Sequence, residues 1–256
     1  MTLYFSLQAL SALSPVNSEI ASRLHLGISA VNNIFPGFEA GDFAVLHGSA
    51  SNLLLFDICI RCQLPPSKGG LSSPAVFIDG GNIFNPYLVA ESARRYGLNP
   101  RMVLQRIYVS RAFTAYQLSS LILERLEEAI KKFEARFVAV SEISSLFLDR
   151  DVPRTEAEDL FVKVCRGLQK IAAEGKAVIA ASHTGHKTSR RTAFLESVLY
   201  GKASIILGFK RSHGILKLML ERHPRIEPFT LELRGNEARL TDFMEVKTGG
   251  EDSSIL

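Results

Sequence analysis

With 256 residues and 46% apolar content, the chain can bury roughly three quarters of its unfolded surface in one core, so a single α/β domain needing no covalent staples is expected. Three cysteines, Cys59, Cys62 and Cys165, are too few for a disulfide framework, and the odd count suits a reducing, cytoplasmic setting. A formal charge of +4 admits an anionic partner without requiring one, and no apolar run reaches the roughly 18 residues of a membrane span.

Residues 1–36 read as a short amphipathic lead-in without the basic start of a secretory signal, and Pro15-Val16-Asn17-Ser18-Glu19 supplies a turn and helix start. The first core strand is Phe43-Ala44-Val45-Leu46, which breaks at Gly48 into Ser49-Ala50-Ser51-Asn52 and resumes as an apolar helix over 51–63. After a Pro- and Gly-rich break at 65–70, residues 75–79 form a second buried strand ending in Gly80-Gly81-Asn82. Asn85 as N-cap and Pro86 behind it start a helix that Gly97 stops. Strand three spans 106–111, and a long helix over 114–132 carries Leu118, Ile122, Leu126 and Ile130 in register. Strand four at 137–140, a helix at 155–173, strand five at 177–181 and a polar loop at 182–192 follow. From residue 204 the pattern changes to short strands at 205–209, 214–220, 229–233 and 238–241 without helices between them, hence antiparallel. Residues 37–245 are expected to form the core domain, and 246–256, rich in Gly, Ser and acids, a disordered tail.

The alternation of strands and helices predicts a mainly parallel central sheet with helices on both faces, antiparallel strands at its C-terminal end, and ligand chemistry at the carboxyl ends of the parallel strands. The stretch 41–57, GDFAVLHGSASNLLLFD, has the outline of a phosphate-binding turn. A working turn reads G-x-x-x-x-G-K-[ST]: its backbone N–H groups cradle phosphates, its lysine reaches the β/γ-phosphates and its hydroxyl holds magnesium. Here the second glycine and the lysine are missing. An ungapped reading puts Leu54 and Leu55 at the Lys and Ser/Thr positions, and the nearest downstream lysine is Lys68.

Four pieces in one order resemble the archaeal RadA recombinases and their paralogues: 24–41, FIDGGNIFNP at 77–86, IYVSRAF at 107–113 and LERHP at 220–224. The resemblance covers about residues 24–243 and implies a RecA-like P-loop NTPase core. Full members also carry a helical N-terminal DNA-binding domain, for which the segment ahead of residue 24 is expected to be too short. The family's phosphate-binding lysine and hydroxyl fall on Leu54 and Leu55, or on Ser51 and Asn52 with a shortened loop. The family's D-T-E-N reads Asp79-Gly80-Gly81-Asn82, so Gly81 stands where the resemblance implies a water-polarising glutamate. The magnesium-side aspartate falls on Ser141, with Glu142 next and pointing the other way if strand alternation holds. The family's γ-phosphate-sensing glutamine is matched by His183. Single groups of this kind are worth about 10²- to 10³-fold in rate. Four departures therefore imply degenerate Walker motifs with no catalytic residue, vestigial nucleotide contacts at Gly48, Ser49, Ser51, Asn52, Asp79 and Glu142, and no required cofactor, ATP with magnesium being doubtful.

Between Glu174 and Glu196 there is no acidic residue, while Lys176, Lys187, Arg190 and Arg191 add positive charge, a composition suited to phosphate contacts. This loop matches in position the second DNA-binding loop of the recombinases, making His183, His186, Lys187, Arg190 and Arg191 candidate contacts to single-stranded DNA; a solvated loop is the alternative. In the position of the first loop, 149–155, Asp149 and Asp151 offset Arg150 and Arg154, and neither loop carries an aromatic residue for base stacking. Cys59-x-x-Cys62 lies in an apolar helix with only Cys165 as a third ligand, so buried thiols rather than zinc are expected. Arg111 and Phe113 match the family's R-A-F and are expected to fix the turn after strand three. The segment Leu3-Tyr4-Phe5-Ser6-Leu7-Gln8-Ala9 resembles the family's aromatic docking linker with one residue more.

The function expected from this combination is a non-catalytic RadA-like accessory in recombinational repair. Its partners would be a RecA/RadA-type recombinase or another paralogue, in a homo- or hetero-oligomer, and single-stranded DNA, with no membrane. A slow ATPase of the RecA/KaiC-like superfamily and a protein-interaction module without DNA binding are the alternatives.

Overall fold

The computed structural model describes residues 22–182, 189–212 and 215–233. Its strands are β1 (Phe43–Gly48), β2 (Ala75–Asp79), β3 (Ile107–Arg111), β4 (Phe137–Ser141), β5 (Ala177–Ser182), β6 (Ile205–Ser212), β7 (Ile215–Arg222) and β8 (Phe229–Leu233). They form one sheet in the order β3-β2-β4-β5-β1-β6-β7-β8. Pairing is parallel from β3 through β6 and antiparallel for β6–β7 and β7–β8. The helices are α1 (Ser29–Asn32), α2 (Ser51–Arg61), α3 (Pro86–Arg95), α4 (Pro100–Leu104), α5 (Ala115–Ser120), α6 (Leu126–Lys132), α7 (Arg154–Ala173) and α8 (Arg190–Lys202).

Every residue of β2, β4 and β5 is buried, because helices cover both faces of a parallel sheet and leave no polar side to the strand. Strand alternation sorts these residues into two cores. On one face Ala44, Leu46, Phe77, Ala139 and Ile179 pack with residues of α2 and α3. On the other, Phe43, Val45, Val76, Val138 and Val178 pack with residues of α5 through α8. From residue 24 the lead-in belongs to the first core: Leu24, Leu26, Val31, Phe35 and Phe38 are fully buried in it, and Leu24 and Phe38 exchange backbone hydrogen bonds of 2.8 and 2.9 Å. The Pro15 to Glu19 turn, the Leu3 to Ala9 segment, the strand expected at 238–241 and the tail at 246–256 lie outside the described residues.

Several expectations change. Residues 190–192 are not loop but the first turn of α8, capped by Ser189, whose side chain accepts from the Thr192 backbone N–H. This helix is hard to see in the sequence because its buried residues Thr192, Leu195 and Leu199 share it with the half-exposed Phe194, which blurs the apolar stripe. It also supplies the crossover that lets β6 run parallel to β1, so among the described strands only β7 and β8 are antiparallel additions. The short α4 was not anticipated either, although Asn99 caps it by accepting from Arg101 and Met102 N–H groups.

The long helix at 114–132 is interrupted by a π turn, Leu121–Arg125. Buried residues Leu118, Ile122, Leu126 and Ile130 are spaced four apart, and on a regular α-helix of 3.6 residues per turn such a row drifts by about 120° over three steps. The wide turn absorbs that drift and keeps the row on the sheet. The facing position on α7 is Gly167, where an added Cβ would lie 3.0 Å from the Leu123 side chain.

Between α2 and α3 a carboxylate is buried: Asp57 is 5% exposed and accepts from Ser92 Oγ at 2.9 Å and Tyr96 Oη at 2.5 Å. Burial raises its pKa above the ordinary 3.8, against the pull of Tyr96, Ser92 and Arg61. A raised carboxyl value means that the folded state holds the proton more tightly than the unfolded state, so this group's stabilisation is fullest at low pH and declines as pH rises through the folded value. Relative to Asp57→Asn, the parent should therefore gain stability as pH is lowered from about 7 toward 4, read from urea midpoints; a difference that stays flat or moves the other way would contradict the burial argument.

Candidate functional site

Two residues, Ser49 and Ala50, join β1 to α2, where a full phosphate-binding loop places four between its glycines. The turn is tight because Gly48 has φ +96°, and a Cβ there would lie 2.0 Å from the Phe209 carbonyl oxygen. Ser49 N–H donates to that same oxygen at 3.1 Å. Ser51 Oγ donates back to the Gly48 carbonyl at 2.9 Å, so its hydroxyl closes the turn. Ala50, at the N-cap, has no side chain to cap α2, which leaves first-turn N–H groups without a side-chain acceptor. Leu54 and Leu55 are fully buried in the core, and α2 opens with Ser51 and Asn52.

Asp79 ends β2 fully buried and acts as the anchor of the next turn. Its two carboxylate oxygens accept from the Ile83 and Phe84 N–H groups at 3.0 and 2.9 Å. Ser141 Oγ donates to it at 2.9 Å, and Arg111 Nε lies 3.3 Å away. Arg111 also donates to the Phe84 carbonyl, fixing the turn that follows β2 rather than the one that follows its own strand.

Glu142 corrects the alternation argument. It leaves β4 at φ +47°, an uncommon left-handed conformation for a non-glycine residue, and this swings its side chain back toward α2. Asn52 Nδ2 donates to its Oε1 at 2.5 Å, while Asn52 Oδ1 is buried with no partner among the described residues. Glu142 also fills the space beside Gly81: a Cβ on that glycine would lie 2.5 Å from the Glu142 Cγ. Asn82 is left-handed as well, at φ +52°, so unusual backbone gathers at the carboxyl ends of β1, β2 and β4.

At the end of β5, Ser182 is buried and its hydroxyl lies 3.1 Å from that of Ser144. His183, His186 and Lys187 lie outside the described residues. Arg190 is exposed; Arg191 Nη2 donates to the Val152 carbonyl at 3.2 Å. That bond brings the 149–155 segment beside the start of α8, whereas Arg154 is held by Glu158 at 2.6 Å. Two arginines in the first turn of a helix oppose its dipole, each by about 0.3–1 kcal/mol. A contact missed in the sequence is His47, whose Nε2 lies 3.0 Å from Glu221 Oε1 and ties the end of β1 to β7; only the strand pairing brings these residues together. The three thiols are buried, and burial raises the pKa of each, that of Cys165 to about 12. Among the described residues no cluster of three metal-ligating side chains occurs, and no helix is long and apolar enough to cross a membrane.

The parallel sheet, the strand-to-helix turn after β1 and the antiparallel strands beyond β6 define a RecA-like α/β core. The chain belongs to the Rad51 family, whose model matches residues 23–191. It is 31% identical over 193 residues to DNA repair protein RAD51 homolog B of Zea mays, covering 68% of this chain and 56% of that protein. It is equally 31% identical over 192 residues to DNA repair protein RAD51 homolog 1 of Arabidopsis thaliana, covering 67% and 55%. The chain thus spans about half the length of these curated relatives.

Gly48→Ala should cost about 2 kcal/mol or more, from left-handed strain and the approach to Phe209, measured by urea unfolding. An unchanged midpoint would show that the turn can relax.

Proposed function

We propose that this chain is a non-catalytic Rad51-family accessory in homologous recombination and DNA repair, working through a recombinase-type partner and single-stranded DNA. The observation that carries this reading is the Asn52–Glu142 contact at 2.5 Å. It sets an amide against a carboxylate at the start of α2, where the family's fold would need a cation for phosphate. No Lys, Arg or His occurs from Gly48 through Ile60, so ATP with magnesium does not fit this set of residues. Ser141 and Asp79 satisfy each other, and the departures at Leu54 or Ser51, Gly81, Ser141 and His183 remove groups worth about 10²- to 10³-fold each. The curated relatives are named for DNA repair, which supports the pathway. The retained sheet supports use of the surface, with RecA-type subunit packing as the route to a homo- or hetero-oligomer.

In this reading Arg190 and Arg191, with His183, His186 and Lys187, contact DNA phosphates, which would account for arginines kept at an unfavourable helix start. Calorimetry with ATP or ADP plus magnesium should give a flat trace; saturable heat would refute the loss of nucleotide handling. Lys187/Arg190/Arg191→Ala should weaken binding to single-stranded DNA and reduce the slope of log affinity against log salt by about 0.7 for each lost phosphate contact. Unchanged affinity and slope would show that these side chains do not contact the DNA.

A slow ATPase is favoured by one observation, that Glu142 brings a carboxylate into the space beside Gly81. Phosphate release by the parent that disappears in Glu142→Gln would establish that reading in place of the first.

A further inference from the structure

The end of the sheet away from the β1 turn carries a second charged feature. Residues leading into β2, β3, β4 and β5 line an open cleft of about 670 Å³. Arg106 precedes β3, Arg136 precedes β4 and Lys176 precedes β5, while Lys131 stands at the end of α6. Because β3, β2, β4 and β5 are neighbours in that order, the row spans about 15 Å at the ordinary interstrand spacing.

Three properties set this cleft apart. Its lining holds four cations and one carboxylate, Glu134; none of the four is in an ion pair among the described residues, and Arg106 donates to the Ser72 carbonyl. The acid nearest the start of the adjoining β1 strand is already engaged, since Asp42 accepts from the Glu39 N–H, and Glu39 is held by Arg23 and Arg225. Its wall also carries aromatic surface: Tyr108 and Phe133 stack with centroids 3.5 Å apart and planes 8° from parallel, and Lys132 lies over the Phe133 ring at 5.5 Å.

From these features we infer that the amino-terminal edge of the sheet binds single-stranded nucleic acid, with Arg106, Arg136, Lys131 and Lys176 on phosphates and the Tyr108–Phe133 pair as a platform for a base. Cations in a row along an open groove beside an aromatic face are the elements of sequence-tolerant single-strand binding. The 182–192 segment supplies no aromatic side chain. This surface is separate from that segment and does not depend on it.

The test uses the full chain and a labelled oligo-dT, read by fluorescence anisotropy over a range of salt. Arg106→Gln/Arg136→Gln/Lys176→Gln should lower affinity at least about tenfold and shrink the salt slope by about 2, three contacts at about 0.7 each. The charge-keeping Arg106→Lys/Arg136→Lys/Lys176→Arg should bind like the parent. The chain has no tryptophan, so tyrosine emission reports directly: oligo-dT should quench it, and Tyr108→Phe should diminish the quench while leaving affinity within about twofold. With Lys187/Arg190/Arg191→Ala, salt-sensitive binding should persist and be abolished by adding the cleft substitutions. The inference is overturned if the parent does not bind, if the glutamine variant binds like the parent, or if the charge-keeping variant fails equally. It is also overturned if the 187/190/191 variant alone removes all binding, or if polyglutamate displaces oligo-dT at equal charge, which would assign the cleft to acidic peptide.

Discussion

The carboxyl edge of this protein is set by the approach of β1 to β6. Gly48 must take a left-handed conformation because the Phe209 carbonyl leaves no room for a side chain, and Ser49 then donates to that carbonyl. The chain can enter α2 after two residues only from this starting point. A connection that short brings Asn52 to Glu142. The same pairing of β1 with β6 needs α8 as crossover, so the helix that carries Arg190 and Arg191 and the short turn after β1 follow from one arrangement of strands.

Charge is distributed accordingly. At the carboxyl edge both carboxylates are engaged: Asp79 is met by two backbone N–H groups, a serine and an arginine, and Glu142 by an amide. At the amino edge four cations, in no ion pair among the described residues, stand beside stacked rings. A parallel sheet offers two such edges, and in this chain they differ: carboxylates are engaged at one and cations gather at the other.

The strands were legible because fully buried parallel strands are written as unbroken apolar runs: residues 75–79 and 137–140 fall within a residue of the observed limits. The helix starts at Asn85 and Thr114 were equally plain, since each side chain caps as its type predicts. What escaped depended on partners distant in sequence. The exposed Phe194 hid α8, and with it the parallel course of β6. Glu142 was assigned the wrong direction because alternation holds only while the backbone stays extended, and a φ of +47° ends it one residue beyond β4. The lack of any Lys, Arg or His from Gly48 through Ile60 could be seen in the residues themselves; the Asn52–Glu142 contact depends on how β4 ends beside α2.

The π turn of the long helix and the glycine facing it form a matched pair. A helix that bulges at 121–125 comes close to its neighbour at 167, where a Cβ would sit 3.0 Å from the tip of the Leu123 side chain and would make that side chain shift. Removing one residue from the bulge would restore regular winding and open that gap, so the length of one helix and the side chain tolerated on the other are a joint inheritance. A descendant that alters one without the other would misalign the row from Leu118 to Ile130 against the sheet.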